Sequence, residues 1–408
     1  MFLGIISDGK TALMELPLMN RILHVFWLLG PFILLIERTP ADAFISILAL
    51  AFVLRVAMGR DFFCFKQFWV RATFAFWVVC LLSAVSSSNS PYAFGEAFIW
   101  IRFPLFAMAV VFWLAQDKRI FYLMLLSTAL GFLIMCVILT AEIIHNGEIG
   151  QRLSWPYGDL VSGNYLTKVG LPIMLIFSAI SVSHYNQNSI FSGLFLLMGI
   201  TVMFFSGERI NTLILIGGCT LAGIVCRPKW ASLFAVCLFG GILTTVLFFS
   251  SPEIYERFVS SFIAQLPTGE HSPYYRAMAP AWLAFEQNPL LGIGTANFRN
   301  WCPDTALIIS NLECHPHPHN YYFQLLGETG VIGLAFGTVF LWSIVWKCFK
   351  AGRLANDNVA LATSWIVPFM FFWPILSTAD FFGQWNNAFM WSSIAIALGA
   401  TNFGNKAA

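Results

Sequence analysis

The feature that most limits this chain is the recurrence of apolar runs close to membrane-spanning length, with few charges to interrupt them. Its residues are 58% hydrophobic and only 10% charged, and they include 42 Phe and 15 Trp. A soluble domain of that composition would have more apolar surface than it could bury. In hydrocarbon, every backbone N–H and C=O must be paired inside the protein, so an all-α integral membrane protein is expected. The pattern predicts a polytopic bundle of about 12 transmembrane helices, near 22–36, 41–58, 68–84, 96–114, 120–141, 166–183, 189–206, 211–226, 230–250, 321–346, 357–376 and 384–402. No clean apolar core followed by small residues precedes the first span, which is expected to act as its own uncleaved signal. A net charge of +2 gives no reason to expect a nucleic-acid partner.

Basic residues orient the bundle. With the N-terminus inside, Lys10, Arg21, Arg55, Arg60, Lys66, Arg71, Lys118, Arg119, Arg227, Lys229, Lys347, Lys350, Arg353 and Lys406 fall on the cytoplasmic side. Arg38, Arg152, Arg209, Arg257, Arg276 and Arg299 fall outside, while Arg102 and Lys168 lie in or at the edge of spans. An external set of arginines without lysine suits forked recognition of phosphate or carboxylate. The chain thus divides into nine spans over 1–250 with a periplasmic loop at 142–165, a large periplasmic loop at 251–320, and three spans over 321–408. Within the large loop, Ser272-Pro273 reads as an N-cap and N1 proline opening a helix through Gln287. Asn288-Pro289 ends that helix, and Gly292 and Gly294 allow a tight return. Cys302 and Cys314 are the only cysteines in this loop, and in an oxidising space they are expected to form a disulfide.

The chemistry concentrates in His315-Pro-His317-Pro-His319-Asn320, which leads into an apolar helix bearing Gly327, Gly330, Gly333 and Gly337. Three readings are open: a polar turn-rich loop, a metal site built from imidazoles two apart, or a general base. The interleaved prolines, and the lack of further ligands at metal spacing other than Glu313 and Cys314, weigh against a metal. The glycines recur at three- and four-residue spacing and are expected to form one close-packing helix face. Glu328 lies too far along the helix to touch His319 and is expected to meet an arginine or a cavity. Arg209 has a plain alternative in pairing with Glu208, and Arg257 in pairing with Glu253 or Glu256. Arg152 and Arg299 are expected to be solvated or at lipid headgroups.

His319-Asn320, a nine-residue spacer and Gly330-x-x-Gly333 resemble the signature of the bacterial O-antigen ligase and O-antigen polymerase superfamily. Arg276, Trp282 and Asn288-Pro-Leu-Leu-Gly292-Ile-Gly294-x-x-Asn297-Phe298 resemble the segment preceding that histidine, and Arg209 resembles the superfamily's arginine at the outer end of a span. Gly207-Glu208 stands before Arg209, where small hydroxyl residues are expected. The resemblance implies a glycosyltransferase C-like membrane fold in the bacterial inner membrane, with its site facing the periplasm. It implies transfer of a glycan from undecaprenyl diphosphate to a hydroxyl of lipid A-core, with neither metal nor cofactor. His319 would be the base, Arg276, Arg257 and Arg209 would hold the diphosphate, and His317, Asn320 and Glu328 would support them. A polymerase taking a second lipid-linked glycan as acceptor is the alternative, and protein O-glycosylation is a third. A transporter of the same lipid carriers would need charges lining a path through the bilayer, whereas here polar residues crowd one external face.

Overall fold

The structure is a computed structural model that describes residues 2–60, 62–146, 152–159, 161–181, 187–226, 255–266, 272–306, 313–355 and 358–404. Among these the regular structure is entirely helical. Seven helices are long and apolar enough to cross a membrane: Arg38–Gly59, Phe68–Val85, Ser90–Leu114, Lys118–Asn146, Asn188–Phe205, Arg209–Cys226 and Tyr321–Gly352. An eighth is added if the pair Ser162–Lys168 and Leu171–Ser181, bent by 52°, is one span. The expected count of twelve is therefore not reached among the described residues. The 22–36 segment forms only the short helices Leu18–Leu28 and Gly30–Ile33, with Pro31 opening the second. The 357–376 segment is split between Val359–Thr363 and Ile366–Phe371, and the last helix is Gln384–Ala400. The expected span at 230–250 lies outside the described residues.

The spans hold together through aromatic and small side chains, because lipid tails remove most of the hydrophobic drive for helix association. The helix Tyr321–Gly352 packs against Phe68–Val85, and Arg38–Gly59 packs against Arg102–Ala109. At the centre Phe76 stacks on Phe340 at 5.6 Å, Trp100 on Phe381 at 5.5 Å, and Phe340 on Trp391 at 6.0 Å. These rings tie four separate parts of the chain into one core, and offset aromatic pairs add to simple contact. Outward-facing Leu50, Leu82, Val137 and Leu194 form the apolar surface a bilayer would cover. Arg102, expected within a span, pairs with Asp42 at 3.3 Å, so this charge is compensated inside the bundle.

The histidine-bearing span is not one continuous helix. Gly330 has φ 65° and ψ −170°, which breaks it. The segment 289–294 fills the break: Ile293 N and Gly294 N donate to the carbonyls of Gly327 and Glu328 at 3.1 and 3.0 Å, and Val331 N donates to Pro289 O at 2.9 Å. Ser83 Oγ adds a bond to Glu328 O at 2.8 Å. The freed backbone groups are thus satisfied inside protein, as membrane depth requires. Gly292 and Gly330 face each other so closely that a Cβ on either would lie 2.3 Å from the other segment's backbone.

This corrects the expected glycine face. Gly330 is the break itself, Gly327 lies against the Ala281 backbone of helix Pro273–Gln287, Gly333 lies against Thr329, and Gly337 against Leu325 and Phe76. They serve different neighbours because the chain turns at Gly330.

Candidate active site

Helix Tyr321–Gly352 begins with Asn320 as its N-cap, the side chain accepting from Tyr322 N at 3.0 Å and Phe323 N at 3.2 Å. The Asn320 amide also donates to the carbonyls of Pro374 and Leu376 at 2.7 and 3.2 Å. The Asn320 side chain thus caps the helix with its oxygen and holds the 374–376 segment across the helix head with its nitrogen. His319 sits immediately before the cap with φ 57°, and its carbonyl accepts from Thr378 N at 2.8 Å. A left-handed conformation at a non-glycine residue costs of order 1–3 kcal/mol, so surrounding bonds must enforce it. Its effect is to turn the imidazole away from the helix axis and towards a cavity.

That cavity, about 330 Å³, is lined by His317 and His319 together with Lys168, Arg152, Glu208 and Arg209. Tyr274, Thr378 and Asn386 complete its polar wall. The rings of His317 and His319 are 4.3 Å apart, and those of His315 and His319 are 5.5 Å apart. Burial lowers the His319 pKa to about 4, aided by the neighbouring His317 and His315. Burial likewise lowers that of His317. Both rings are neutral at neutral pH, and the buried Nε2 of His317 has no hydrogen-bond partner. Desolvation is the leading cause for both rings.

The basic wall comes from three other segments. Arg209 is the first residue of its span, placed by a turn in which Gly207 takes φ 72°. Arg152 bonds Glu208 through Nε at 2.9 Å and lines the cavity while its side chain remains exposed, as expected. Its loop is fixed from below by buried Glu142, whose carboxylate accepts from Ser154 N at 2.9 Å and Trp155 N at 2.8 Å. Lys168 stands in a π-helical turn, Tyr165–Val169, at the bend of the broken span, and its Nζ donates to Asn386 Oδ1 at 3.2 Å. A cation therefore enters this site as lysine after all.

The remaining expected site residues are placed elsewhere. Arg276, on helix Pro273–Gln287, pairs with Glu313 and is not part of the cavity wall. Arg257 belongs to the turn Glu256–Ser260, and its side chain lies outside the described residues. Arg299 is exposed, as expected, and also pairs with Asp380.

Glu328 meets neither an arginine nor the cavity. It is buried and accepts from Ala296 N and Phe298 N, both at 3.1 Å, and from Gln324 Nε2 at 3.2 Å. Gln324 also donates to Asp380 Oδ1 at 2.7 Å. This network fixes the return segment onto the histidine span. Cys302 and Cys314 are joined by a disulfide just upstream of the histidines.

Sequence reasoning missed Lys168, Tyr274, Thr378, Asp380 and Asn386. Lys168 carried a signal, being a charge within an apolar segment. The others are ordinary polar residues whose importance comes from tertiary placement.

Residues 193–337 match a family model described as O-antigen ligase, a stretch that takes in Arg209, Arg276, His319 and the Gly330-x-x-Gly333 break. No curated protein matches the chain. Within an apolar helical bundle, residues 193–337 are therefore similar to the O-antigen ligase family.

Proposed function

We propose that this protein transfers a glycan from undecaprenyl diphosphate to a hydroxyl of lipid A-core at the periplasmic face of the inner membrane. The observation that carries this reading is one cavity lined by two largely buried imidazoles, His317 and His319, together with Arg209 and Lys168. The acceptor oxygen attacks the anomeric carbon as His319 takes its proton. A bond from that carbon to the acceptor forms, and the bond to the diphosphate oxygen breaks. The electron pair leaves with undecaprenyl diphosphate, whose added negative charge falls to Arg209 and Lys168, with Arg276 and Arg257 as further candidates. A depressed pKa suits His319 before the donor binds, because protonation would remove the base. The bound diphosphate then raises its proton affinity as the transfer proceeds.

The test uses purified protein in detergent, where no compartment exists to transport across. Release of undecaprenyl diphosphate should require lipid A-core. Release with donor alone, accompanied by chain growth, would identify a polymerase, and no release under any condition would leave only carrier binding. Activity should survive EDTA. Loss with EDTA and recovery with a divalent ion would instead assign His315, His317 and His319 to a metal.

A further inference from the structure

At the opposite end of the bundle lies a second, larger cavity of about 1130 Å³. Its walls are helix ends: the start of Leu18–Leu28, the ends of Arg38–Gly59 and Tyr321–Gly352, and the π-helical turn Val110–Leu114. Among the described residues, two cations, Arg55 and Lys347, line it, and no carboxylate does. Neither takes part in the ion pairs among the described residues. The Arg55 guanidinium lies 5.3 Å from the Trp113 ring centre, and Lys347 Nζ donates only to the neutral Gln67 Oε1 at 3.3 Å. The wall between them is apolar, formed by Leu23, Phe52, Val56 and Phe112.

The side of the cavity is polar in another respect. Asn402 Nδ2 donates to Val111 O at 2.8 Å and to Ala115 O at 3.0 Å, and Gln116 also donates to Val111 O. Amides therefore take up the carbonyls that the π-turn releases, leaving the cations as the groups with charge to offer.

We propose that this cavity binds an anionic phospholipid, its phosphate held by Arg55 and Lys347 and its acyl chains lying along the apolar wall. Charge, size and position argue for that occupant together. Two cations with no carboxylate among the described lining residues favour an anion, and basic pockets between spans suit anionic headgroups. The volume exceeds the usual range for small-ligand sites, about 300–1,000 Å³, and a free phosphate would leave most of it empty. The rim carries Met58 and Phe63, 80% and 53% exposed, which a lipid chain would cover.

Native mass spectrometry in detergent tests this with phosphatidylglycerol and phosphatidylcholine of identical acyl chains. Wild-type protein should prefer phosphatidylglycerol by on the order of tenfold or more, from two cations at the membrane surface. R55Q/K347Q should lose the preference, while R55K should retain it and R60Q/K350Q, outside the cavity, should leave it intact. Because R55K keeps the charge and R60Q/K350Q removes equal charge nearby, a folding defect in the double variant does not decide the outcome. Equal binding of the two lipids by wild-type protein would overturn the proposal. So would loss of the preference in R60Q/K350Q, or displacement of the lipid by inorganic phosphate.

Discussion

An imidazole acts as a base only while it is unprotonated, and burial keeps His319 so well below the ordinary histidine midpoint. Its pKa of about 4 fixes the sign of the pH response. The active form is the deprotonated one, so kcat/KM should stay level from about pH 7.5 down to about 5.5 and fall only towards 4. The donor diphosphate is esterified at both ends and has no proton to exchange in that window. A midpoint near 6.5 would show that His319 is not the base. His319→Ala should lower transfer by roughly 10²–10⁴-fold with the protein still folded, and His315→Ala should be milder. Arg209 and Arg276 are separable in the same way. Arg209 lines the cavity, whereas Arg276 is held by Glu313, so Arg209→Lys should cost on the order of tenfold to a hundredfold and Arg276→Lys much less. The reverse order would move the diphosphate towards helix Pro273–Gln287. The clustering of His319 with two other imidazoles was legible because three histidines lie close in sequence. That of Lys168 was not, because its contact with Asn386 spans 218 positions.

The element that organises the site is the break at Gly330, with the 289–294 segment seated in it. Gly330→Ala combines a positive φ with a Cβ 2.3 Å from the Leu290 carbonyl carbon, and should destabilise by at least about 2 kcal/mol or prevent accumulation. Gly193→Ala, where nothing lies within 4 Å, is the control and should leave the melting temperature unchanged. If both variants melt alike in detergent, the interlock does not hold the span. Glu328→Gln replaces one acceptor oxygen by a donor opposite the backbone N–H groups of Ala296 and Phe298, which should cost about 1–3 kcal/mol. The glycines of both segments were visible in the sequence, yet their spacing suggested helix packing. Periodicity cannot show that one of them takes a positive φ, and only the partner segment reveals the break. Cys302 and Cys314 needed no such information, since two cysteines in one external loop have no other local partner. Closing their loop should contribute about 3 kcal/mol in the chain-entropy model. Non-reduced peptide mapping decides it, and two free thiols in protein matured in the periplasm would sink the pairing.

Across the whole molecule, the two cavities sit at opposite ends of the same helices, and this gives the orientation a physical meaning. The span Tyr321–Gly352 carries the histidines ahead of its first turn and Lys347 and Lys350 near its last. Arg38, at the start of Arg38–Gly59, bonds Gln384, at the start of the last helix, while Arg55 lies near the other end. By the positive-inside rule the lysine-rich end is expected in the cytoplasm and the histidine cavity outside. Helical class and approximate span positions followed from apolar runs alone, because a membrane leaves the backbone few choices. The broken spans did not, since proline, glycine and π-turns interrupt them without lowering their apolar character. Alkaline phosphatase, active only after export, measures the orientation when fused after Asn320 and after Lys350. Activity is expected at the first position and none at the second. The opposite pattern would put the histidines in the cytoplasm, where an exported lipid-linked glycan could not reach them, and would exclude the proposed transfer even if His319 were essential.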